Sequence, residues 1–401
     1  MEFKVSNKAK LTSAILLVVG LVALILGISS SHEHTSERIW VNLLVNGYFY
    51  FTISLAALFF LALQYVSQMA WGVTTQRVFQ AIMSFMPIGA AVLLVVFVAS
   101  SMHWNHIYHW MADGITDPKS EHYDKIIASK SSYLNLGFFW VRIIIYLAVW
   151  LGVAFWFRKA SLKEDKLELN GGVSPIYKKL VLVSVIFVVF FAYTSSTSAW
   201  DWLMSIDTHW FSTMFGWYCF SGMWVSMMIV AVVTVQYLKR NGYLKEVNSS
   251  HIHDLGKWMF AISCVWAYTW FAQFMLIWYS DIPEEAIYYT IRLKEYGVLY
   301  LGIFAVNFFF PFFVLMSRDA KRNGIFLVPV ALIVFIGHWL DVLIMVLPGT
   351  MHEHGHVGAL EIGMFLSFLG VFIFVILNAL SRAPLMVKNH PMYEESIHLH
   401  H

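Results

Sequence analysis

The chain has 401 residues and a formal net charge of +2, but 59% of its residues are apolar and only 12% are charged. A soluble domain carries about 25% charged residues, so this chain has too few polar groups to cover a surface that faces water. The composition therefore excludes an ordinary soluble protein and favours one that lies in a membrane. Cys219 and Cys264 lie in apolar segments without a CxxC, CxxCH or iron–sulfur spacing, and we expect them to be core residues.

Apolar runs that are long enough to cross a bilayer recur along the whole chain. A helix that crosses about 30 Å of hydrocarbon needs roughly 20 residues. The predicted helices, about ten in number, cover residues 11–29, 41–68, 78–102, 135–157, 180–200, 214–237, 255–280, 296–316, 325–347 and 358–380. Pro87 and Pro311 lie within spans and are expected to kink them. We therefore predict an all-α integral membrane protein with a single polytopic membrane domain over residues 1–401.

Basic residues are segregated between alternate loops, which predicts an orientation. The N-terminal segment and every second loop carry most of the lysines and arginines, among them Lys4, Lys8, Arg158, Arg240 and Arg318. Loops on the cytoplasmic side of a membrane carry such an excess. We therefore expect an even number of helices, with both termini in the cytoplasm.

The loops predicted on the outer side are acidic and rich in histidine. They contain His32, His34, His103, His106, His109, His122, His352, His354 and His356. The last three belong to a His-Glu-His-Gly-His tract, whose composition is that of a metal-binding segment. Because the loop is short and has no carboxylate cluster beside it in sequence, a solvated or docking loop is the favoured interpretation.

Ionisable side chains are few within the predicted spans, where they usually face the bundle interior and often serve function. Arg142 lies near the outer end of the fourth helix, and Lys257 lies near the inner end of the seventh. His338 and Asp341 share the ninth helix, and their spacing of three places them on one face. His338 is expected near the midplane, with Asp341 about 5 Å further out. Glu361 lies in the first outer turn of the tenth helix.

The most unusual stretch joins the fifth helix to the sixth. Hydroxyl residues close the fifth helix, and Asp201, Asp207 and His209 follow without a lysine or an arginine between them. Tryptophans beside these residues are typical of a membrane interface. The outer half of the protein is thus predicted to collect most of its buried polar groups.

Two interpretations of these polar groups compete. They could form a proton-conducting half-channel that opens to the outer side, with His338 as its deepest titratable member. The candidate residues of such a proton path are His338, Asp341, Arg142, Asp201, Asp207, Glu361 and Lys257. In the other interpretation Arg142 neutralises one aspartate, the remaining groups lie at the interface near water, and Lys257 extends to the inner surface.

Signatures of cofactor binding are missing from the sequence. A membrane cytochrome b would hold haem between paired histidines, but only His338 lies well inside a predicted helix. The sequence has no Walker A motif, no GxGxxG after a predicted strand and no basic surface for nucleic acid. We therefore expect no catalytic residue, no metal and no redox cofactor in this chain.

One long aromatic and acidic motif is more specific than hydropathy. Residues 201–218 read Asp-Trp-Leu-Met-Ser-Ile-Asp-Thr-His-Trp-Phe-Ser-Thr-Met-Phe-Gly-Trp-Tyr, and Ser221-Gly-Met-Trp follows. This motif resembles a signature of the polysulfide-reductase-type (NrfD-like) membrane subunits of alternative complex III, and it is more similar to the second of the two such subunits. Segments that begin at Trp40, Phe59, His253 and Trp266 support the resemblance. Together they extend it from about residue 38 to about residue 385 of the chain.

The resemblance implies ten helices, of which helices two to five and six to nine form two four-helix bundles. The first and last helices would lie outside these bundles. It also implies a respiratory complex of the bacterial inner membrane that oxidises quinol and passes electrons to a cytochrome c or directly to a terminal oxidase. The expected partners are a sister NrfD-like quinol-binding subunit, an iron–sulfur subunit, multihaem and monohaem cytochrome c subunits, a terminal oxidase and lipids. Haem c and the iron–sulfur clusters would lie in those partners.

We accordingly expect a structural and proton-conducting subunit that is not catalytic alone, and quinone is the one small ligand that the resemblance suggests. Asp341 and His338 would relay protons, and Arg142 would tune them. One alternative is a stand-alone secondary transporter, which predicts broken helices in matching positions of two halves. The other alternative is a purely structural scaffold with inert buried polar pairs.

Overall fold

Long apolar helices make up the fold. The structure is a computed structural model and describes residues 3–30, 35–168 and 172–400. Within these residues, ten helices are long and apolar enough to cross a membrane. They are α1 (Asn7–Ser29), α2 (Thr35–Val66), α3 (Ala70–Ser101), α4 (Leu136–Glu164), α5 (Pro175–Ile206), α6 (Met214–Arg240), α7 (Ser249–Ser280), α8 (Pro283–Leu315), α9 (Gly324–His354) and α10 (Ala359–Ser381). The predicted all-α membrane protein with about ten spanning helices is confirmed.

Several helices begin before the apolar spans that hydropathy indicates. α2 begins at Thr35, about two turns before its predicted span, and α8 begins at Pro283, about four turns before its predicted span. The added turns are polar, and hydropathy places them in loops because it detects only the part of a helix that crosses hydrocarbon. As a consequence Arg38 and Arg292, which the sequence placed in outer loops, lie within helices.

Local sequence signals explain where helices start. Ser174 caps α5, because its hydroxyl accepts hydrogen bonds from the amides of Ile176 and Tyr177 at 3.0 and 3.4 Å. Pro175 occupies the first turn, where its missing N–H costs nothing. Asn248 caps α7 in the same way through its side chain.

Both termini lie on one face of the molecule, which we call the termini side, and the opposite face is the far side. Near the N-terminus, the ring of Phe3 packs edge-on against Tyr243, with ring centroids 5.1 Å apart. Near the C-terminus, the Asn248 side chain donates a hydrogen bond to the carbonyl of Leu399 at 2.6 Å. Which of the two faces is cytoplasmic stays a prediction from the basic loops.

Two groups of four helices form the body of the protein. In the first bundle, α2 and α4 each pack against α3 and α5. In the second bundle, α6 and α8 each pack against α7 and α9. The bundles meet where α2 packs against α6 and α9 and where α5 packs against α6. This arrangement agrees with the two four-helix bundles that the sequence resemblance implies.

α1 and α10 form a peripheral pair outside the bundles. α10 contacts the body through α2 and α3, while α1 packs mainly on α10. Glycines let the two backbones touch, because a β-carbon at Gly20 would lie 2.7 Å from the carbonyl oxygen of Gly363. A β-carbon at Gly363 would lie 2.5 Å from the amide nitrogen of Leu24. Small residues at such contacts favour helix pairing in lipid, where packing replaces the hydrophobic effect.

Irregular turns precede the prolines that were expected to kink helices. In α3, a 3-10 turn at Met83–Phe85 comes just before Pro87. In α8, the backbone is non-helical at Tyr296, and a π-helical turn at Ala305–Phe309 comes just before Pro311. A proline cannot donate to the carbonyl four residues earlier, and membrane helices accommodate this by 3-10 or π adjustments.

The C-terminal segment crosses the termini side and connects the bundles. The amide of Lys388 donates a hydrogen bond to Asp165, beyond α4, at 2.8 Å. The ring of His251 in α7 forms a hydrogen bond with the carbonyl of Ser396 at 3.0 Å. Between these points His390 is buried, and burial lowers the pKa of His390 to about 4. Burial therefore keeps its ring neutral at pH 7.

Replacing Gly363 with valine is expected to force α1 away from α10, because the added carbons would overlap backbone atoms of α1. Overpacking of this kind costs about 1–3 kcal/mol. Thermal unfolding of the purified protein in detergent should show a lower midpoint for Gly363→Val. The matched control is Gly152→Val in α4, where an added β-carbon meets no atom within 4 Å. Equal midpoints for the two variants would contradict the close backbone contact.

Candidate functional site

Arg142 and Asp201 form a buried ion pair in the far half of the first bundle. The Nε and Nη2 atoms of Arg142, on α4, lie 2.7 and 2.8 Å from the two carboxylate oxygens of Asp201, on α5. The rings of Tyr133 and Phe138 cover the guanidinium, with centroids 4.0 and 4.3 Å from its carbon. Two parallel charge-assisted hydrogen bonds of this kind satisfy both charges and hold the helices in register.

Asp207 has its own arginine partner. The Nη2 atom of Arg292 lies 3.0 Å from a carboxylate oxygen of Asp207 and donates a second hydrogen bond to the carbonyl of Met345 at 3.0 Å. The guanidinium carbon lies 3.3 Å from the centroid of the Tyr288 ring, and Trp210 stacks on that ring at 3.8 Å. These contacts fix the turn after α5 against α8 and α9.

Glu361 is fully buried at the start of α10 and pairs with Arg38 of α2. The Nε and Nη2 atoms of Arg38 lie 3.1 and 2.7 Å from the carboxylate oxygens. The side-chain amide of Asn42 donates at 3.1 Å, and the backbone amide of Gly358 donates at 2.8 Å. Because donors from α2 and from the turn before α10 satisfy this carboxylate, it joins the peripheral pair to the first bundle.

The arginines that balance Asp207 and Glu361 are the residues that sequence reasoning missed. Arg38 and Arg292 lie just outside the predicted spans, so they were counted as loop cations rather than as buried partners. The sequence nevertheless contained a signal for these pairs. Each arginine lies within two helical turns of a predicted span, on the same side of the membrane as a carboxylate that had no assigned partner. Arg142 pairs with Asp201, as the structural interpretation predicted, but that interpretation was wrong to place Asp207 and Glu361 near water without partners, because each pairs with an arginine.

His209 and Lys257 lie apart from these pairs. The Nε2 atom of His209 lies 2.6 Å from a carboxylate oxygen of Asp124 in the far-side loop. Partial burial raises the pKa of Asp124, but hydrogen bonds from backbone amides and from His209 outweigh it, so the pKa lies below its usual value. Lys257 is half exposed near the termini side and pairs with Asp254 at 2.6 Å. It therefore does not join the polar groups of the far half.

Asp341 lies on α9 in the second bundle, and no arginine or lysine pairs with it among the described residues. Its carboxyl group accepts a hydrogen bond from the Tyr218 hydroxyl of α6. The indole nitrogen of Trp266, on α7, donates a second hydrogen bond at 3.0 Å. The side chain is 1% exposed. Asp341 therefore differs from Asp201 and the other paired carboxylates, since only neutral groups donate to it.

His338 is one turn from Asp341 and equally buried. Across the described part of the chain, neither ring nitrogen of His338 has a hydrogen-bond partner. Trp266 packs edge-on against the ring with centroids 5.3 Å apart. Gly222 of α6 leaves space beside it, since a β-carbon there would still lie 3.8 Å from the Nδ1 atom. A buried polar group without a protein partner is costly, and a water molecule beside the ring would offset this cost.

A small cavity adjoins both side chains where the two bundles meet. Its volume is about 10 Å³, and α2, α6 and α9 line it together with His338 and Asp341. This is roughly the room that one water molecule requires. We call His338 and Asp341 together the α9 pair.

No protein-family model and no curated protein sequence matches this chain.

What the α9 pair can do follows from its chemistry. A carboxyl group and an imidazole ring both exchange protons, and here they lie buried beside space for a water molecule, with no balancing cation among the described residues. Such an arrangement can take up a proton and pass it on.

The geometry supports metal binding less than it supports proton exchange by the α9 pair. Within residues 3–30, 35–168 and 172–400, no three His, Cys, Asp or Glu side chains come together in a way that could hold a metal ion. In the histidine-rich tract, His354 is exposed and lies 4.0 Å from the equally exposed Glu353. His32 and His34 lie outside the described residues.

The structure separates residues that the sequence grouped together. Arg142 was expected to tune the α9 pair, but it hydrogen-bonds Asp201 in the first bundle, whereas the α9 pair lies in the second. Tyr218 and Trp266, which do contact Asp341, belong to the segments that carry the resemblance but were not among the candidate site residues. The sequence signal for these two residues is a polar side-chain group within an apolar span, because a buried Tyr or Trp usually has a hydrogen-bond partner.

Arg142→Gln is expected to lower the free energy of unfolding by about 3–5 kcal/mol, because Asp201 would stay buried without its cation. The double variant Arg142→Gln/Asp201→Asn should recover much of this loss. The matched control is Lys257→Gln, whose half-exposed pair with Asp254 is expected to contribute less than about 1 kcal/mol. Denaturant titration of the purified protein measures all three. Similar losses for Arg142→Gln and Lys257→Gln would rule out a structural role for the buried pair.

Proposed function

We propose that the chain is a membrane subunit of a bacterial respiratory quinol:cytochrome c oxidoreductase of the alternative complex III type, and that it conducts protons through its second bundle. The α9 pair carries the proton-conduction part of this proposal. Asp341 receives hydrogen bonds from neutral donors only, and His338 has no partner among the described residues. Both side chains face one small cavity between the bundles.

The assignment to this type of complex rests on separate observations. The aromatic and acidic motif at residues 201–218 resembles the signature of NrfD-like subunits, of which the ActF type is the more similar. Two four-helix bundles with a peripheral helix pair are the arrangement expected of that family. The sister quinol-binding subunit, the iron–sulfur subunit and the cytochrome c subunits would then hold the haem c and iron–sulfur clusters, and electron transfer would belong to them.

Proton transfer through the α9 pair follows from ordinary acid–base chemistry. A carboxylate charge at this depth is costly without a cation, so Asp341 readily binds a proton. When the proton leaves, the hydroxyl of Tyr218 and the indole nitrogen of Trp266 stabilise the carboxylate by hydrogen bonds. The His338 ring can accept a proton on one nitrogen and donate it from the other. A water molecule in the cavity would connect the two side chains by hydrogen bonds.

The orientation is part of the proposal. Basic residues such as Arg158, Arg240 and Arg318 lie at the termini-side ends of their helices or in the adjoining loops. This excess fits the cytoplasmic face of a bacterial inner membrane. In that orientation both termini are cytoplasmic, and the arginine pairs of the far half lie toward the periplasm.

A stand-alone secondary transporter is the second candidate, because α3 and α8 are interrupted next to prolines. Transporters of this kind break helices at corresponding positions of two repeated halves. Here α3 is the second helix of its bundle, whereas α8 is the third helix of its bundle. Because the positions do not correspond, a subunit is favoured. Purification distinguishes the two, since a subunit co-purifies with multihaem cytochromes and a transporter is isolated alone.

Asp341→Asn and His338→Gln are expected to lower the number of protons moved per electron while quinol oxidation continues, because each removes one proton-exchanging group. The measurement is proton translocation and quinol oxidation, recorded in parallel on the assembled complex in liposomes. Trp339→Phe is the matched control, since it lies beside His338 on α9 and loses a hydrogen bond to Asn46 at 3.1 Å but no titratable group. An unchanged proton-to-electron ratio in both variants of the α9 pair would refute the relay.

A further inference from the structure

An apolar cleft of about 440 Å³ lies between the peripheral pair and the second bundle. Residues of α1, α6, α9 and α10 line it, and its walls include Ile229, Val233, Leu332, Phe335, Phe372 and Ile376. α10 packs mainly against α2 and α3 and also contacts α9, where the ring centroids of Phe365 and Trp339 are 4.6 Å apart, and the cleft separates it from α6.

Polar groups of the cleft are concentrated at its termini-side end. Thr12 of α1 and Thr234 and Tyr237 of α6 line this end. The hydroxyl of Tyr237 forms a hydrogen bond of 3.4 Å with that of Ser6, which joins α6 to the segment before α1 at this end. The cleft therefore changes from apolar to polar along its length, in the direction in which a bilayer does.

Two exposed cations lie next to the polar end. Lys8 is one turn before Thr12, on the same side of α1, and its carbonyl accepts a hydrogen bond from the Thr12 hydroxyl at 3.0 Å. Arg240 is about one turn beyond Tyr237 at the end of α6. Lys10 is also exposed, but at about 100° per residue it points away from the side of α1 that lines the cleft.

We propose that this cleft binds an anionic phospholipid, with one acyl chain between the four helices and the phosphate near Lys8 and Arg240. Basic residues at the membrane surface attract anionic head groups in this way. Apolar walls beside a cationic end match the polarity of a single phospholipid molecule. An isoprenoid quinone would match the apolar walls of the cleft, but it carries no negative charge to pair with the two cations. A partner helix would also leave the position of these cations unexplained. The bound lipid would fill the space between the peripheral pair and the second bundle, whatever reaction the complex performs.

Native mass spectrometry of the full chain, with any subunits that co-purify, tests the proposal with two probe lipids. Phosphatidylglycerol and phosphatidylethanolamine are added at equal concentration to the protein in mild detergent. One phosphatidylglycerol per chain should be retained in preference to phosphatidylethanolamine. The variants Lys8→Gln and Arg240→Gln should each lower that retention about fivefold, and Lys10→Gln should leave it unchanged. Because all three side chains are exposed, these variants should fold normally.

A steric variant tests the cleft itself. Val233→Trp would fill the apolar wall on α6 and should release both lipids, while an unchanged thermal unfolding midpoint would show that the variant is folded. Equal retention of the two lipids, or full retention of phosphatidylglycerol in the double variant Lys8→Gln/Arg240→Gln, would overturn the proposal. Preferential retention of a prenylquinone over both lipids would overturn it as well.

Discussion

The cost of placing charge in an apolar interior is the constraint on which this structure depends. Among the described residues, this cost is offset for Asp201, Asp207 and Glu361, because each carboxylate pairs with an arginine from another helix. Asp341 has no such arginine among the described residues, and its hydrogen-bond donors are a tyrosine hydroxyl and an indole nitrogen. The paired carboxylates are thus balanced by cations, whereas under the proposed function Asp341 exchanges a proton.

The two kinds of carboxylate occupy different parts of the architecture. The arginine pairs connect helix ends and loops on the far side, including the peripheral pair, so their effect is to hold segments together. The α9 pair instead lies deep in the second bundle, facing a cavity that α2 of the first bundle also lines. A structural role needs rigid, fully satisfied partners, while proton transfer needs a titratable ring that can hydrogen-bond to water, as His338 can, and space for that water.

Part of this picture could be predicted from the sequence, and the limits have physical causes. The helices were predictable because each needs a long apolar run, and the spacing of three placed His338 and Asp341 on one face. Arg38 and Arg292 were misplaced because hydropathy detects hydrocarbon-spanning residues and not the polar turns that extend a helix. The contacts of Tyr218 and Trp266 with Asp341 join residues that are far apart in the chain, so local patterns could not predict them. That no described residue hydrogen-bonds the His338 ring depends on packing from several helices and has no sequence signature.

The central claim is that Asp341 changes its protonation during turnover while the arginine-paired carboxylates do not. Infrared difference spectroscopy of the assembled complex, started by quinol addition, measures this most directly through the stretching band of protonated carboxyl groups. The account predicts a difference band that disappears in Asp341→Asn and persists in Glu361→Gln. A difference spectrum that is the same in the native complex and in Asp341→Asn would contradict it.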